Sequence, residues 1–425
     1  MIYCPVPDEK SFGGRDYAGA NAVIEALKTT KEPVEKLPID VEIIEKILQN
    51  TKNPISLRAV STPNAGYLLR CNKKNKSLIE KLKKFRNKIT PVGENIFKKY
   101  KIRTTLLWDD PLGQFTNETF NFKESGIFKK RGILVALKKY FSCWPCTHIS
   151  WDSGHIDWVR NLGIIDNNKI KYNPLHYSSN YEIKKDNRNC SWDLSFFGNL
   201  YIHNIQSNQY FHEPNIKKAC HYIKELITPF SPIKRIQIIK NAYNLFINKE
   251  SIMPEDDFLF WEFYRQINWY FINTIRRQQI LEGIKRDVFY FGNFADPKSL
   301  SLLQKNLVFQ GNLDYFRELP EAFERSRITI DVVNSLSING INGKFYECFA
   351  ANGFMLLDQK KDLKDILGEK LSNKITYSSV NDCNEKIDYY LKHEKEREEI
   401  RTEIKKIILL NHSPSKWANT ILSIS

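Results

Sequence analysis

The residues best suited to chemistry gather in the segment Asn334–Asp358, NSLSINGINGKFYECFAANGFMLLD. An apolar strand pattern ends at Val333, a loop carrying Gly340 and Gly343 follows, and a helical pattern then carries Lys344 and Glu347. Glycines let a backbone approach a ligand closely, and a helix N-terminus offers unpaired N–H groups to an anion. A lysine in the first helical turn opposes the helix dipole, so a phosphate at this place would explain it. Glu347, one turn further on, is placed to accept hydrogen bonds from both hydroxyls of a ribose. The competing reading is an exposed Lys344–Glu347 pair on an ordinary helix.

Three further residues are candidates for a general base. Asp109 follows an apolar run ending at Trp108, and Asp152 and His155 follow one ending near Ser150. Each lies at the carboxyl end of an expected strand, where a base belongs in a parallel sheet. The alternatives are a helix cap for Asp152 and a turn before Pro111 for Asp109 or Asp110. Adjacent carboxylates on extended chain point opposite ways, so Asp109–Asp110 is not read as a metal site. Cys143-Trp-Pro-Cys146 with His148 has the look of a redox pair or half a zinc site, but a second ligand pair is missing from the sequence. Gly198 and Gly292 each follow an apolar strand, and Asn334 sits at a strand end, so all three are expected to face the same ligand. The loop Phe12–Gly14 after the first strand either approaches a substrate or is a plain strand-to-helix turn.

The elements that must position these residues alternate. Strands are expected at Ile2–Val6, Ser56–Val60, Thr104–Trp108, Thr147–Ser150 and Ile170–Tyr172, with helices at Ala20–Lys28, Val41–Leu48, Ser77–Lys88 and Ile133–Tyr140. The pattern restarts at Asp193–Phe197, passes through a long helical stretch to about Gly283, and resumes. Strands then fall at Val288–Phe291, Leu307–Phe309, Ile328–Val333, Met355–Leu357 and Ile375–Tyr377. Helices fall between them at Leu319–Ser326, Gly343–Ala351, Leu363–Leu367 and Asp382–Lys392. Two alternating blocks imply two α/β domains with parallel sheets, joined around Ser179–Asn189. The domains are expected at 1–185 and 186–410, with a helical insert at about 205–283 and a C-terminal helix, 411–425, returning to the first domain. The aromatic run Phe258–Phe271 is read first as core and second as a membrane- or acceptor-binding face.

A length of 425 residues suits two domains of this kind, and 42% hydrophobic with 27% charged residues is a soluble, globular profile. The eight cysteines are scattered rather than framed as a disulfide scaffold. No basic stretch precedes an apolar run at the N-terminus, and Phe258–Ile280 is broken by Glu262, Arg265, Gln266 and Arg276, so the expected location is the cytoplasm. The net charge of +15 favours an anionic partner. Much of it lies between Lys73 and Arg103, including Lys81, Lys83, Lys84, Arg86, Lys98, Lys99 and Lys101, and within that segment Leu78, Ile79, Leu82 and Phe85 keep the spacing of a basic amphipathic helix. That helix is read first as a solvated face and second as a peripheral contact with an anionic membrane or acceptor.

From Asp287 to Leu422 the chain resembles the nucleotide-binding half of GT-B glycosyltransferases, and most the spore-maturation-protein-like (CgeB-like) branch. The likeness rests on FGN (291–293) with QGNLDYFRELPEAFERSRITIDVVNS, on NGINGKFYECFAANGFMLLDQKKDL, and on ITYSSVNDCNEKIDYYLKHEKEREEI with NHSPSKWANTIL. In the first half, TLLWDDPLGQF, HISWDSGHIDWVRNLGI, YNPLHYSSN and DLSFFGN add to it. The resemblance implies two Rossmann-like domains facing each other across a cleft, with the helical insert in the second. It implies transfer of a sugar from a nucleoside diphosphate to a glycan, lipid or protein acceptor, without a metal or other cofactor and without a nucleic-acid partner. The family's basic–aromatic–glutamate pattern falls on Lys344, Phe345 and Glu347. Gly198, Gly292, Asn334, Asn339, Gly340 and Gly343, by their places at strand ends and in the loop, complete the expected donor site, and Asp109, Asp152 and His155, at strand ends of the first domain, are the catalytic candidates. One departure stands out: many retaining relatives carry a second glutamate eight residues before the one matched by Glu347, where this chain has Asn339. Retention and inversion therefore both stay open. The rival readings are a nucleotide-sugar epimerase or hydrolase on the same fold, a basic nucleic-acid-binding protein, and a catalytically silent nucleotide-sugar sensor.

Overall fold

The computed structural model describes residues 1–6, 22–38, 41–53, 57–61, 96–108, 134, 138, 146–183, 189–227, 230–248, 253–292 and 306–424. The chain divides into two compact units. Met1–Pro174, Met253–Glu262 and Pro414–Ser425 form the first, and Leu175–Ile252 and Phe263–Ser413 the second.

The first unit is built on β1 (Ile2–Val6), β2 (Val34–Pro38), β3 (Arg58–Ser61), β4 (Arg103–Trp108), β5 (Thr147–Ser150) and β6 (Ile170–Tyr172), in the spatial order β2-β1-β3-β4-β5-β6. All neighbours run parallel. Side chains alternate across a strand, so each strand feeds two cores. Tyr3, Ala59 and Leu106 pack on one face with Ile44, Leu48, Ile96 and Phe97. Ile2, Cys4, Val60, Leu107 and Ile149 pack on the other with Ile24, Leu27, Trp417 and Ile421. The C-terminal helix Pro414–Ile424 thus closes the core that begins at residue 2. Strand β2 has no counterpart among the expected strands. Among the described residues it pairs only with β1, and its charged Glu35 and Lys36 and terminal Pro38 are what an edge strand carries to discourage further pairing. The expected helices Ser77–Lys88 and Ile133–Tyr140 lie outside the described residues, except for 134 and 138, as do most of the basic segment from Lys73 and the loop Phe12–Gly14.

The second unit carries β7 (Trp192–Phe197), β8 (Val288–Phe291), β9 (Leu307–Gly311), β10 (Ser326–Asp331), β11 (Met355–Asp358) and β12 (Thr376–Tyr377), again all parallel. Its order, β12-β11-β10-β7-β8-β9, is the doubly wound 3-2-1-4-5-6 pattern when strands are counted from β7. The central strands read as near-continuous apolar runs because helices cover both faces: β11 is buried at every position, and β7 and β10 at their last four. Tyr177 and Tyr181 are buried in this unit's core, so the chain changes unit at Pro174/Leu175, ahead of the joint expected at Ser179–Asn189. A mostly helical stretch separates β7 from β8. In it, helices Phe258–Gln266 and Asn273–Glu282 are joined by a π-helical turn, Ile267–Ile272. Phe260, Trp261, Phe263 and Tyr264 are each at most 1% exposed, which makes the aromatic run core at these positions. Within the first unit, Trp261 packs on Trp158 with ring centroids 5.0 Å apart.

Candidate functional site

In a doubly wound sheet the strand order reverses between its first and fourth strands, and ligands bind beyond the carboxyl ends there. In the second unit that point lies between β7 and β10. Strand β7 runs out at Phe197 into Gly198–Asn199, and β10 ends at the buried Asp331. Gly198 N–H donates to Phe291 O at 2.9 Å, drawing the ends of β7 and β8 together. A Cβ on Gly292 would stand 2.3 Å from Gly198 O and 2.4 Å from Tyr290 Oη. No residue but glycine fits there without moving the backbone.

The helix Gly343–Ala350 begins beside this point. Its N-cap, Asn342, makes no side-chain cap. Its Nδ2 instead reaches Asp331 Oδ2 at 3.2 Å, while its Oδ1 is buried without a hydrogen-bond partner. The first-turn N–H groups of this helix are thus left without the side-chain acceptor that usually covers them. Lys344 Nζ donates to Phe197 O at 2.7 Å and pairs with Asp331. It also stands 5.7 Å from the centroid of the Phe196 ring. Lys344, for which an exposed helix face is the competing reading, is therefore drawn onto the ends of β7 and β10, with only 20% of its side chain exposed.

Glu347 points back toward the same helix terminus: a Cβ on Gly343 would be 3.8 Å from its Oε1. The residue is 3% exposed, so the exposed ion pair weighed from the sequence is not what forms. Tyr315 Oη donates to Oε1, and Oε2 is buried with no hydrogen-bond partner. Burial pushes the carboxyl up to about 7, against the opposing pull of the Tyr315 hydrogen bond and the Lys344 charge. An orphaned carboxylate oxygen beside an uncapped helix N-terminus and a lysine is a site equipped for a ligand that carries both hydroxyls and negative charge.

The loop between β10 and this helix is held from below. Arg276 Nη1 donates to Val333 O at 2.9 Å and Ser335 Oγ at 3.0 Å, and its Nη2 meets Asp358 at 2.9 Å. Arg235 Nη2 donates to Ser335 O and Ser337 O at 2.8 and 3.0 Å. Lys360 adds a longer contact to Ser337 O, 3.4 Å. All three cations are at most 2% exposed, so the loop's carbonyls replace the water these groups have lost.

The other expected site residues fall as follows. Asn334 Oδ1 accepts from Asn273 Nδ2 at 3.0 Å and Leu336 N at 2.9 Å, so it shapes the loop from within. Asn339 O accepts from Asp362 N at 3.1 Å, and Gly340 O from Ser337 Oγ at 2.6 Å. Phe345, expected to line the donor site, is instead wholly buried against Phe349, because it lies on the inner face of its helix. In the first unit, Asp152 caps the helix Ser153–Asn161, accepting from Gly154 N at 2.8 Å and His155 N at 3.2 Å. Its Oδ2 lies 3.6 Å from His155 Nε2, with both side chains at most 2% exposed. The cap reading of Asp152 is therefore the geometry present. Asp109 and Cys143 lie outside the described residues.

Cys146 Sγ meets His148 Nε2 at 3.2 Å, and Trp108 Nε1 donates to His148 Nδ1 at 3.1 Å. The Trp108 bond leaves the imidazole proton on Nε2. Burial pushes the thiol far up and lowers His148 to about 3, which is a neutral, unreactive pair. Among the described residues no group of three or more His, Cys, Asp or Glu is arranged to hold a metal. No helix in them is long and apolar enough to cross a membrane.

Sequence reasoning missed Asp331, Tyr315 and Asn342, and the hold of Arg276 on the loop beneath them. Asp331 left one signal, a single acid closing an apolar run. Arg276–Arg277 left another, a basic pair inside a helix otherwise suited to burial.

Comparison with known proteins follows the same lines. Residues 243–423 match the model of a glycosyl transferase-like family. T4 phage β-glucosyltransferase is similar over 100% of this chain and 99% of its own, at 11% identity and a TM-score of 0.50. A second structure of that DNA-modifying enzyme, with and without uridine diphosphoglucose, gives 10% identity and 0.50 over 100% and 99% of the two chains. Anabaena HepE in complex with UDP is similar over 100% of this chain and 99% of its own, at 7% identity and 0.50. No curated protein matches the chain. These likenesses show the fold: two Rossmann-like parallel-sheet domains of the GT-B class.

Proposed function

We propose that this protein is a glycosyltransferase that takes its sugar from a nucleoside diphosphate, with UDP as the first nucleotide to try. The observation that carries the reading is the orphaned Glu347 carboxylate one helical turn from the uncapped Gly343 terminus and Lys344. In this reading Glu347 accepts the ribose hydroxyls, and the diphosphate lies on the Gly343 N–H groups. Lys344 then exchanges part of its pairing with Asp331 for a phosphate oxygen. The match over 243–423 and the UDP bound by HepE support the same assignment. We place the chain in the CgeB-like branch on its motif pattern.

During transfer the bond between the sugar's anomeric carbon and the diphosphate oxygen breaks, and an acceptor oxygen forms the new bond. Negative charge grows on the leaving diphosphate, and fixed N–H groups and a lysine stabilise it without reorganising. The acceptor's proton needs a base. Of the candidates on the first unit, Asp152 already caps a helix, so it orients His155 in this reading, and Asp109 is the alternative. The acceptor is a glycan, lipid or protein hydroxyl.

The test is thermal unfolding against a panel of nucleoside diphosphates and their sugars. A dose-dependent rise with one nucleotide, lost in Glu347→Ala, is expected; at 100 times Kd it corresponds to ~2.7 kcal/mol. No rise with any nucleotide but a rise with oligonucleotides would overturn the reading in favour of nucleic-acid binding. Conversion of the donor sugar without any acceptor would mark an epimerase or hydrolase.

A further inference from the structure

Among the described residues, Arg277 is a buried cation that no carboxylate answers. It lies on the helix Asn273–Glu282, in the insert, and is 6% exposed. Its Nη1 donates to Asn199 O at 2.5 Å, in the turn that follows β7. Its Nε is buried with no hydrogen-bond partner, and among the described residues no Asp or Glu pairs with it. The neighbouring Arg276 differs in this respect, since Asp358 answers its charge. A desolvated, unpaired guanidinium is costly to keep, and the cost is relieved when an anion arrives.

The position of Arg277 says where that anion would sit. Its Cζ stands 5.9 Å from the Phe196 ring centroid, and Lys344 Nζ stands 5.7 Å from the same centroid. Arg277 bonds the carbonyl of Asn199, Lys344 that of Phe197, and Gly198 lies between the two. Its field also reaches the Tyr290 hydroxyl, whose oxygen crowds the backbone at Gly292. Two cations therefore flank one glycine turn, and the acids nearby, Asp331 and Glu347, act on Lys344. Among the described residues neither acid pairs with Arg277, at the carboxyl end of the central strand.

We propose that Arg277 is the second cation of the donor site, taking a phosphate oxygen that Lys344 and the Gly343 helix do not reach, and so selecting nucleoside diphosphates over monophosphates. The inference rests on the donor site proposed above and deepens it. It also gives the helical insert a role, because the insert supplies the residue that reads the second phosphate. A guanidinium suits the task, since it presents several donors in one plane and cannot lose its proton.

The test compares UDP, UMP and inorganic pyrophosphate by titration calorimetry on the full chain, for wild type, Arg277→Gln and Arg277→Lys. Gln can keep the hydrogen bond to Asn199 O without the charge, and Lys restores the charge. Wild type is expected to bind UDP at least tenfold more tightly than UMP. Arg277→Gln is expected to lose that preference and pyrophosphate binding while UMP affinity stays within about threefold, and Arg277→Lys to recover part of it. Equal losses for UDP and UMP would show that Arg277 only supports the fold, and unchanged UDP binding in Arg277→Gln would overturn the proposal outright. Should Gln fail to fold by its thermal transition, Arg277→Lys decides alone: a loss confined to UDP and pyrophosphate supports the proposal, and a uniform loss or no loss overturns it. Loss of UDP binding in Glu347→Ala but not in the Arg277 variants would sink this inference and leave the donor site standing. A wild type that binds none of the three probes would remove both.

Discussion

Glu347 shows how one side chain can be costly for the fold and useful for the site. Its folded carboxyl is raised to about 7 from an unfolded value near 4.5, with burial the leading cause. Between those values the native state binds more protons than the unfolded chain. The group's contribution to stability is therefore fully present below pH 4.5 and is lost as pH rises through 7, by an amount on the order of 3 kcal/mol. Glu347→Gln should remove this dependence. Urea unfolding is expected to find the variant more stable than wild type by about 1–3 kcal/mol at pH 8 and little changed at pH 4.5, with nucleotide binding weakened at both. A constant difference across that range would mean the carboxyl is not buried as described. Lys344 and Glu347 could be picked out in the sequence as candidates because glycine, lysine and glutamate at helical spacing suit an anion site as well as an ordinary helix. Their partners could not. Lys344 reaches Phe197 across 147 positions and Glu347 reaches Tyr315 across 32, and no local pattern encodes such pairings.

At the scale of elements, the site depends on how closely the strand ends approach. The Gly198 turn and Gly292 touch backbone to backbone, and the Tyr290 hydroxyl fills the remaining space, bonding Leu200 N at 3.3 Å. Gly292→Ala places a methyl group 2.3 Å from Gly198 O, where no rotamer change can relieve it, and ~1–3 kcal/mol of destabilisation is expected from overpacking. Gly198→Ala meets only the Phe196 ring at 3.1 Å and the tip of Lys344 at 3.7 Å, so chemical denaturation should find it the milder change. The reverse ranking would show that the β7 and β8 ends do not meet as described. Most of these elements could be read from periodicity: β1, β5, β6 and β8 match their expected bounds, and the helix at Gly343 starts where its glycine suggested. Strand β2 escaped because Leu37 is its clearest buried apolar residue and its neighbours are charged. The π-helical turn at Ile267–Ile272 escaped because one wide turn inside a helix leaves no change of period to detect.

For the whole molecule, the alternation of strands and helices announced two sheets but not their order, because parallel pairing joins segments far apart in the chain. The second sheet's reversal between β7 and β10 brings Gly198, Gly292 and the tip of Lys344 together, and that reversal becomes visible only in three dimensions. The same separation of sequence from space governs stability. Pro414–Ile424 follows directly on the second unit in the chain, yet Trp417, Ala418 and Ile421 complete one core face of the first. Leu422 O also accepts from Arg58 Nη1 at 2.7 Å. Loss of one buried tryptophan alone costs ~3–5 kcal/mol, and a domain holds only ~5–15 kcal/mol in total. Deleting residues 414–425 should therefore unfold the first unit. The core of the second unit draws on none of those residues and should survive. Calorimetry of the truncated chain is expected to keep one transition of the two units and to lose the other. Because the proposed donor site lies wholly in the second unit, the surviving transition should still rise with nucleotide. Loss of both transitions would mean the units do not fold independently. A surviving transition indifferent to nucleotide, in a truncated chain whose parent responds to it, would mean that the donor site needs the first unit as well.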